Sequence, residues 1–484
     1  MPQSPEHTAI VLGGGVSGLL AARVLAQDGF KVTVVEKNQH LGGAVASHEL
    51  AQLVLDSGAE SFATRSPIVS NLLEDLGLKD KIVLPNSGGS WLYLPGGAYP
   101  APSTGFMGIP GSFEDPAVQQ VLNFAGIQRA KLDKLLPASV GAHAKTLGEL
   151  VRVRMGSQVL NNLVAPVVTG VHTMHPDVLD LDTVAPGLRQ GLRTHGSLAA
   201  AAAAIRCAAP AGSAVAGIEG GMNQLSEALV ADLQRMRVRM VTGFDVIAVD
   251  RDPASGDWTL IQRRSDTSER TVALSATNLV VATDAPTATR ILGSHLPASA
   301  VPSVKSGPEV ALVSLVVDQP SLDAAPRGTG LLVSDQVTTV RAKALTHASA
   351  KWQWIADRAG AGRHIVRLSY GRTGDTSQPI REVDLTDDQL VTLGLRDAAK
   401  LLGVSLTPQQ LVAADVVRWQ GAIPAPRAGH QEKTEKFRDA LGQLEGVTAV
   451  GAWLAGTGLV AVTKDTYATI AEFSANVRQN MACN

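Results

Sequence analysis

Ile10-Val11-Leu12-Gly13-Gly14-Gly15-Val16-Ser17-Gly18, followed after a helical stretch by Lys31-Val32-Thr33-Val34-Val35-Glu36, is the part of the chain that decides its fold. A strand over residues 9–12 delivers the backbone into a tight turn that Gly13 makes without steric cost. Gly15 lets backbone approach a pyrophosphate, and Gly18 lets the following helix lie close to the sheet. The helix N-terminus offers free N–H groups and a positive dipole end to phosphates. Glu36 ends the second strand, where a carboxylate can accept hydrogen bonds from ribose hydroxyls. Strand, glycine turn, helix and acid together predict a nucleotide-binding βαβ unit. A carboxylate there, in place of an arginine-rich patch, argues against a 2′-phosphate.

The rest of the composition bounds the answer. A chain of 484 residues is too long for one simple core, so two or three substructures are expected. With 45% hydrophobic and 18% charged residues it reads as an ordinary globular protein. A formal charge of −2 and the lack of basic runs interleaved with aromatics give no nucleic-acid partner. The first residues lack the basic region of a secretory signal, and the alanine-rich run 198–205 is stopped by Arg206 before it reaches spanning length. A cytoplasmic location with at most peripheral membrane contact is therefore expected. Cys207 and Cys483, the only cysteines, have no metal-ligand or redox spacing, and no metal site is expected.

Strands and helices alternate up to residue 84, with an extended piece at Leu53–Asp56 and a helix over 67–78. Residues 85–116 are rich in Gly and Pro and carry a hairpin signal from Trp91 to Gly97. Residues 116–209 read as mostly helical, with helix-spaced apolar residues at Leu147–Met155 and 159–168. A helix through Leu233 follows, then strands over 238–241, 246–250 and Trp258–Arg263, and a fully buried one over 279–283. Val310 to Val317 and Arg363–Tyr370 predict a second sheet, with a helix near Asp387–Leu402. A late glycine-rich strand-to-helix turn, Gly451 to Gly458, leads into a last helix over 464–481. The two ends thus read as parts of one nucleotide-binding unit. A ligand contacted from such distant segments is long, which favours FAD over a free nicotinamide.

Glu36 followed by Leu41-Gly42-Gly43 resembles the signature of the flavin amine oxidase superfamily. Within it, Asp56-Ser57-Gly58-Ala59-Glu60-Ser61-Phe62-Ala63-Thr64-Arg65 resembles the GPDSF stretch of the oxygen-dependent protoporphyrinogen/coproporphyrinogen oxidases. Thr146 to Gly156, Leu163 to His172 and Thr194-His195-Gly196-Ser197-Leu198 are similar to further motifs of that family. So are Ser349 to Trp352, and Arg418-Trp419 through Ile423-Pro424 to Gly429-His430. The resemblance implies an α/β fold: a Rossmann-like FAD-binding domain (1–84, 216–300, 445–484), a mixed-sheet substrate domain (85–115, 301–444) and an inserted helical domain (116–215). It implies FAD contacts at Gly13, Gly14, Gly15, Val16, Ser17, Gly18, Glu36, Lys37, Gly43 and Ala44. Gly58, Ala59, Glu60 and Ser61 would lie beside the isoalloxazine, and Val246 beside the adenine. Ala452, Thr457, Gly458 and Leu459 complete the set. Ala44 stands where relatives often carry a basic or aromatic side chain, so a clamp on the phosphates is missing there.

The chemistry implied is six-electron oxidation of a porphyrinogen, with O₂ as final acceptor and hydrogen peroxide as by-product. The cofactor carries that chemistry, while the protein orients the macrocycle and excludes water. Arg65 is the candidate for a substrate carboxylate; the plainer expectation is an arginine paired with Glu60 or Asp75. Gly170 and His172, with His175, belong to a segment that lies over the substrate in relatives, where His172 could take a pyrrole proton. Lys351-Trp352 reads either as cavity-facing or as a sheet anchor, and His430 as structural. The rivals are an amine oxidase, whose aromatic cage four tyrosines hardly supply, a carotenoid desaturase and a non-catalytic porphyrin scaffold. Arginine outnumbers lysine and alanine is abundant, as in high-GC Gram-positive bacteria, whose family members act on coproporphyrinogen III. That substrate is expected ahead of protoporphyrinogen IX, with transient contact to a ferrochelatase-type enzyme.

Overall fold

Thr8–Leu12 lies at the centre of a five-stranded parallel sheet in the computed structural model, which describes residues 7–208, 214–263, 270–303, 307–372, 381–421 and 426–482. The strand order is Arg239–Val241, Lys31–Val35, Thr8–Leu12, Asn278–Val281, Val447–Ala449. Both faces of such a strand are covered, so its residues are apolar without alternation. Ala9 and Val11 point to one layer with Leu19, Leu20, Leu225, Leu229 and Ile470 of helices Val16–Gln27, Asn223–Arg235 and Leu459–Ala482. Ile10 and Leu12 point to the other, with Trp258 and Leu260 of an antiparallel three-stranded sheet and Phe437 of helix His430–Leu441. That last helix, grouped by sequence with the substrate part, packs on the nucleotide-binding sheet.

A seven-stranded mixed sheet runs Leu411–Trp419, Val310–Asp318, Arg363–Tyr370, Ala344–His347, Gly330–Val333, Trp91–Leu94, Gly97–Pro100. Its neighbours are antiparallel except Gly330–Val333 with Trp91–Leu94. Helices between Pro116 and Ala208 form a third core, built from Leu147, Leu150, Val159, Leu163, Leu188 and Leu198. Helix Ala165–His172 reaches the seven-stranded sheet, where a Cβ on Gly170 would come within 2.5 Å of Leu332 Cδ2.

Several boundaries differ from the sequence reading. The second strand stops at Val35, so Glu36 sits just past it. The helix expected over 67–78 is Ile68–Asp75, ended by Gly77 at φ +75°. The stretch 159–168 is helical but winds as a π-helix over Leu160–Val164, because Pro166 lacks the N–H that would bond back to Asn162. The last helix begins at Leu459, directly after Gly458 (φ +96°), and not at Lys464. Ile423, Pro424 and Cys483 lie outside the described residues.

Candidate active site

A cavity of about 560 Å³ opens where the first strand meets its helix. Gly13 holds φ +111°, and a Cβ there would stand 2.5 Å from the Ala282 carbonyl oxygen. At Gly18 a Cβ would fall 1.9 Å from the Gly13 carbonyl oxygen, so the helix can touch the turn only because both residues are glycine. Helix Val16–Gln27 has no side-chain cap at Gly15 and no acid in its first turn. Its free N–H groups and positive end therefore face the cavity. Around Gly15 the space is open, since the nearest atom to an added Cβ is Gly43 Cα at 3.9 Å.

Glu36 is buried. It accepts hydrogen bonds from Gly14 N (2.8 Å) and from the Asn38 backbone and side-chain nitrogens (2.9 and 2.8 Å). Those three donors fix the carboxylate on the cavity wall beside Phe244 and Val246. The Val246 carbonyl already accepts from Arg290 Nη2 at 3.2 Å. At the far end the wall is Gly43, Ala44, Trp419, Ala452 and Trp453. Trp453 is buried, and its indole N–H has no hydrogen-bond partner among the described residues. Phosphate-facing helix, ribose-facing carboxylate and open glycine cradle fit a dinucleotide.

The cavity wall thus brings together Gly13, Gly15, Val16, Ser17, Glu36, Lys37, Gly43, Ala44, Val246 and Ala452. Gly14 and Gly18 shape the turn behind it. Gly58, Ala59, Glu60 and Ser61 stand outside that wall but against it: Ala59 N donates to Ala44 O at 2.9 Å, and Trp419 Nε1 donates to Ser57 O at 2.7 Å. Thr457 and Gly458 lead into the last helix, which Leu459 begins, and none of the three lines the cavity.

Among the substrate candidates, Arg65 is exposed. It pairs with neither Glu60 nor Asp75 among the described residues, since Glu60 is held by Lys351 and Arg367. Gly170 packs on Leu332. His172 is buried, its Nδ1 has no partner among the described residues, and burial pushes its pKa down to about 4. His175 is anchored to its own loop, accepting from Asp177 N at 3.2 Å. His430, expected to be structural, both donates to Trp453 O (2.7 Å) and lines the cavity. Sequence reasoning did not assign Trp419, Arg427 and Lys433 to the cavity wall. Trp419 stood inside a quoted motif, but no spacing pointed it at the nucleotide. Among the described residues no group of His, Cys, Asp and Glu could hold a metal, and no helix is long and apolar enough to cross a membrane.

Comparison with known proteins agrees with this geometry. The flavin-containing amine oxidoreductase family matches residues 16–461. The chain is similar to a protein named coproporphyrinogen III oxidase from Bacillus subtilis, 26% identical over 95% of this chain and 96% of the relative. A protein of the same name from Mycobacterium bovis is 30% identical, over 93% of this chain and 94% of the relative. In three dimensions it resembles a crystal structure assigned as a protoporphyrinogen oxidase from Exiguobacterium sp. 255-15, with a TM-score of 0.82 and 23% identity over 98% of this chain and 99% of that one. The chain thus belongs to the flavin-containing amine oxidoreductase family, an oxidoreductase family whose membership implies a flavin cofactor.

Proposed function

We propose that this protein oxidises coproporphyrinogen III to coproporphyrin III in the cytoplasm, with FAD as its flavin and oxygen as the final acceptor. The observation that carries the reading is end-to-end likeness to relatives that bear that activity in their names. When bound, the flavin would supply the hydride acceptor for three successive two-electron steps, each taking a hydride from a ring-bridging carbon while a proton is lost. The chain's own work is binding and orientation. Residues 13–18 would hold the pyrophosphate on the uncapped helix, Glu36 would take the ribose, and residues 58–61 would lie beside the ring. The seven-stranded sheet, with helix Ala165–His172, would form the substrate's walls.

His172 is neutral at physiological pH, but burial that holds its pKa at about 4 disfavours its protonated form, so it would take a pyrrole proton only as a weak base. Arg65, exposed and without an ion-pair partner among the described residues, would meet a propionate, and Gly170 lets helix Ala165–His172 pack closely on Leu332. The aromatic product would pass to a ferrochelatase-type enzyme. The test is parallel steady-state kinetics on coproporphyrinogen III and protoporphyrinogen IX. A higher kcat/KM for the tetra-acid is expected, and a preference for the divinyl substrate would overturn the assignment.

A further inference from the structure

Next to the far end of the cavity, behind the 58–61 segment, lies a charged cluster whose two cations have no assigned role. Glu60 is gripped at one oxygen by Lys351 and at the other by Arg367. These partners come from 291 and 307 residues away along the chain. Arg367 also donates to the carbonyls of Asp56 (2.9 Å) and Gly58 (3.1 Å). The side chains of Glu60, Lys351 and Arg367 are only 14–16% exposed, so water screens their charges weakly. Burial alone would raise the Glu60 pKa, but the charges of Arg367 and Lys351 outweigh it and hold the group at about 2. Asp56 is pushed by burial up to about 7 despite Arg367, and so adds less than a full second negative charge at neutral pH. Two fixed cations against one fixed carboxylate leave the cluster positive.

The polarity of the cavity says what the cluster faces. Glu36 marks the adenosine end and the helix start marks the phosphates, so the redox ring extends past Ala44. There the backbone from Ser57 to Ala59 closes on Ala44 and Trp419. Arg367 is bonded to that same backbone.

We propose that Lys351 and Arg367, partly offset by Glu60, form an electrostatic support for the flavin ring that stabilises its reduced form. This rests on the flavin lying as in the proposed function, but not on the identity of the substrate. A reduced ring carries more negative charge than an oxidised one, so positive charge beside it favours reduction, and a carboxylate opposes it.

The test is the midpoint potential of the bound flavin, measured anaerobically against reference dyes without porphyrinogen. In Lys351→Met and Arg367→Gln the reduced-to-oxidised ratio at a fixed dye potential should fall about tenfold, which is about 30 mV for two electrons. In Glu60→Gln it should rise by a similar factor. Opposite signs are the signature, since a merely structural cluster would move all three variants together. Shifts of one sign, or none, would overturn the proposal. Should Arg367→Gln fail to retain flavin, Lys351→Met with Glu60→Gln carries the test, because among the described residues the Lys351 ammonium bonds to Glu60 and, unlike Arg367, not to the 56–58 backbone. Failure of the coproporphyrinogen reading leaves these measurements untouched.

Discussion

Arg154 carries a guanidinium to a place with no solvent exposure, and Asp133 meets it there, equally buried. The pair is satisfied on every side. Arg154 donates to Asp133 and to the carbonyls of Pro137, Val140, Asp133, Leu136 and Gly196, while Asp133 also accepts from Ala199 N at 2.9 Å. It ties helix Leu147–Met155 to the 132–140 segment and to the start of helix Leu198–Ala208. Removing one partner leaves the other charge buried alone, which costs far more than losing an exposed pair. Arg154→Met should therefore lower stability by about 3–5 kcal/mol, read from the urea midpoint. Arg154→Met with Asp133→Leu should recover part of that loss, because no unpaired charge remains. A single variant within 1 kcal/mol of the parent, on the order of a surface change, would mean that water reaches the site.

Gly18 sets the distance between an element and its neighbour. The first turn of helix Val16–Gln27 rests on the Gly13 carbonyl, and a methyl at Gly18 would need space 1.9 Å from that backbone oxygen. No flexible side chain can move aside there, so Gly18→Ala should push the helix off the turn and spoil the phosphate-facing N–H array. The expected outcome is a purified protein with under about a tenth of the parent flavin content, since losing 1.4 kcal/mol or more of binding is already tenfold. Absorbance near 450 nm per polypeptide measures it. Elements of this kind were legible in sequence because one local pattern fixed each of them. The glycine turn fixed its helix, four apolar residues fixed their buried strand, and helix spacing fixed Leu147–Met155 and Asp387–Leu402 to the residue. The hairpin Ser47–Leu50 with Leu53–Asp56 turns through Ala51 and Gln52 at φ +50° and +64°. Neither residue type announces a left-handed turn, so its first strand was not anticipated. The cavity's near wall could be read from the turn itself. Its far wall and the Glu60 cluster could not, because Trp419 meets Ser57 across 362 residues and Arg367 meets Glu60 across 307. Such pairings follow from how the 57–60 segment packs against the seven-stranded sheet, a tertiary contact between distant segments that no local pattern encodes.

Across the whole molecule, buried titratable groups with strongly perturbed pKa values make stability depend on pH. His172 and His347 are both pushed by burial to about 4, His347 also by the neighbouring His364, against an ordinary 6.5. Between pH 6.5 and 4 the unfolded chain takes up two protons that the fold refuses, so stability falls on acidification. Asp56, raised by burial from 3.8 to about 7, acts oppositely over much of the same range and offsets one of them. Lys343 is the clearest lever. It is fully enclosed where the seven-stranded sheet meets the helical part, and it donates to Thr173 at the end of helix Ala165–His172. Burial, and secondarily the charge of Arg372, pushes it from 10.5 down to about 7. Below pH 10.5 the unfolded lysine is charged while the folded one stays neutral until about 7. Its contribution to stability therefore declines as pH drops through that window, and is flat below it. Lys343→Met removes the buried amine at similar volume. It should raise stability at pH 7 by on the order of 2–4 kcal/mol, with the gain fading toward pH 10.5. Thermal melts of both proteins at pH 7 and pH 10 decide it: a gain equal at the two pH values would trace to packing, and a loss at pH 7 would mean that the bond to Thr173 outweighs the buried charge.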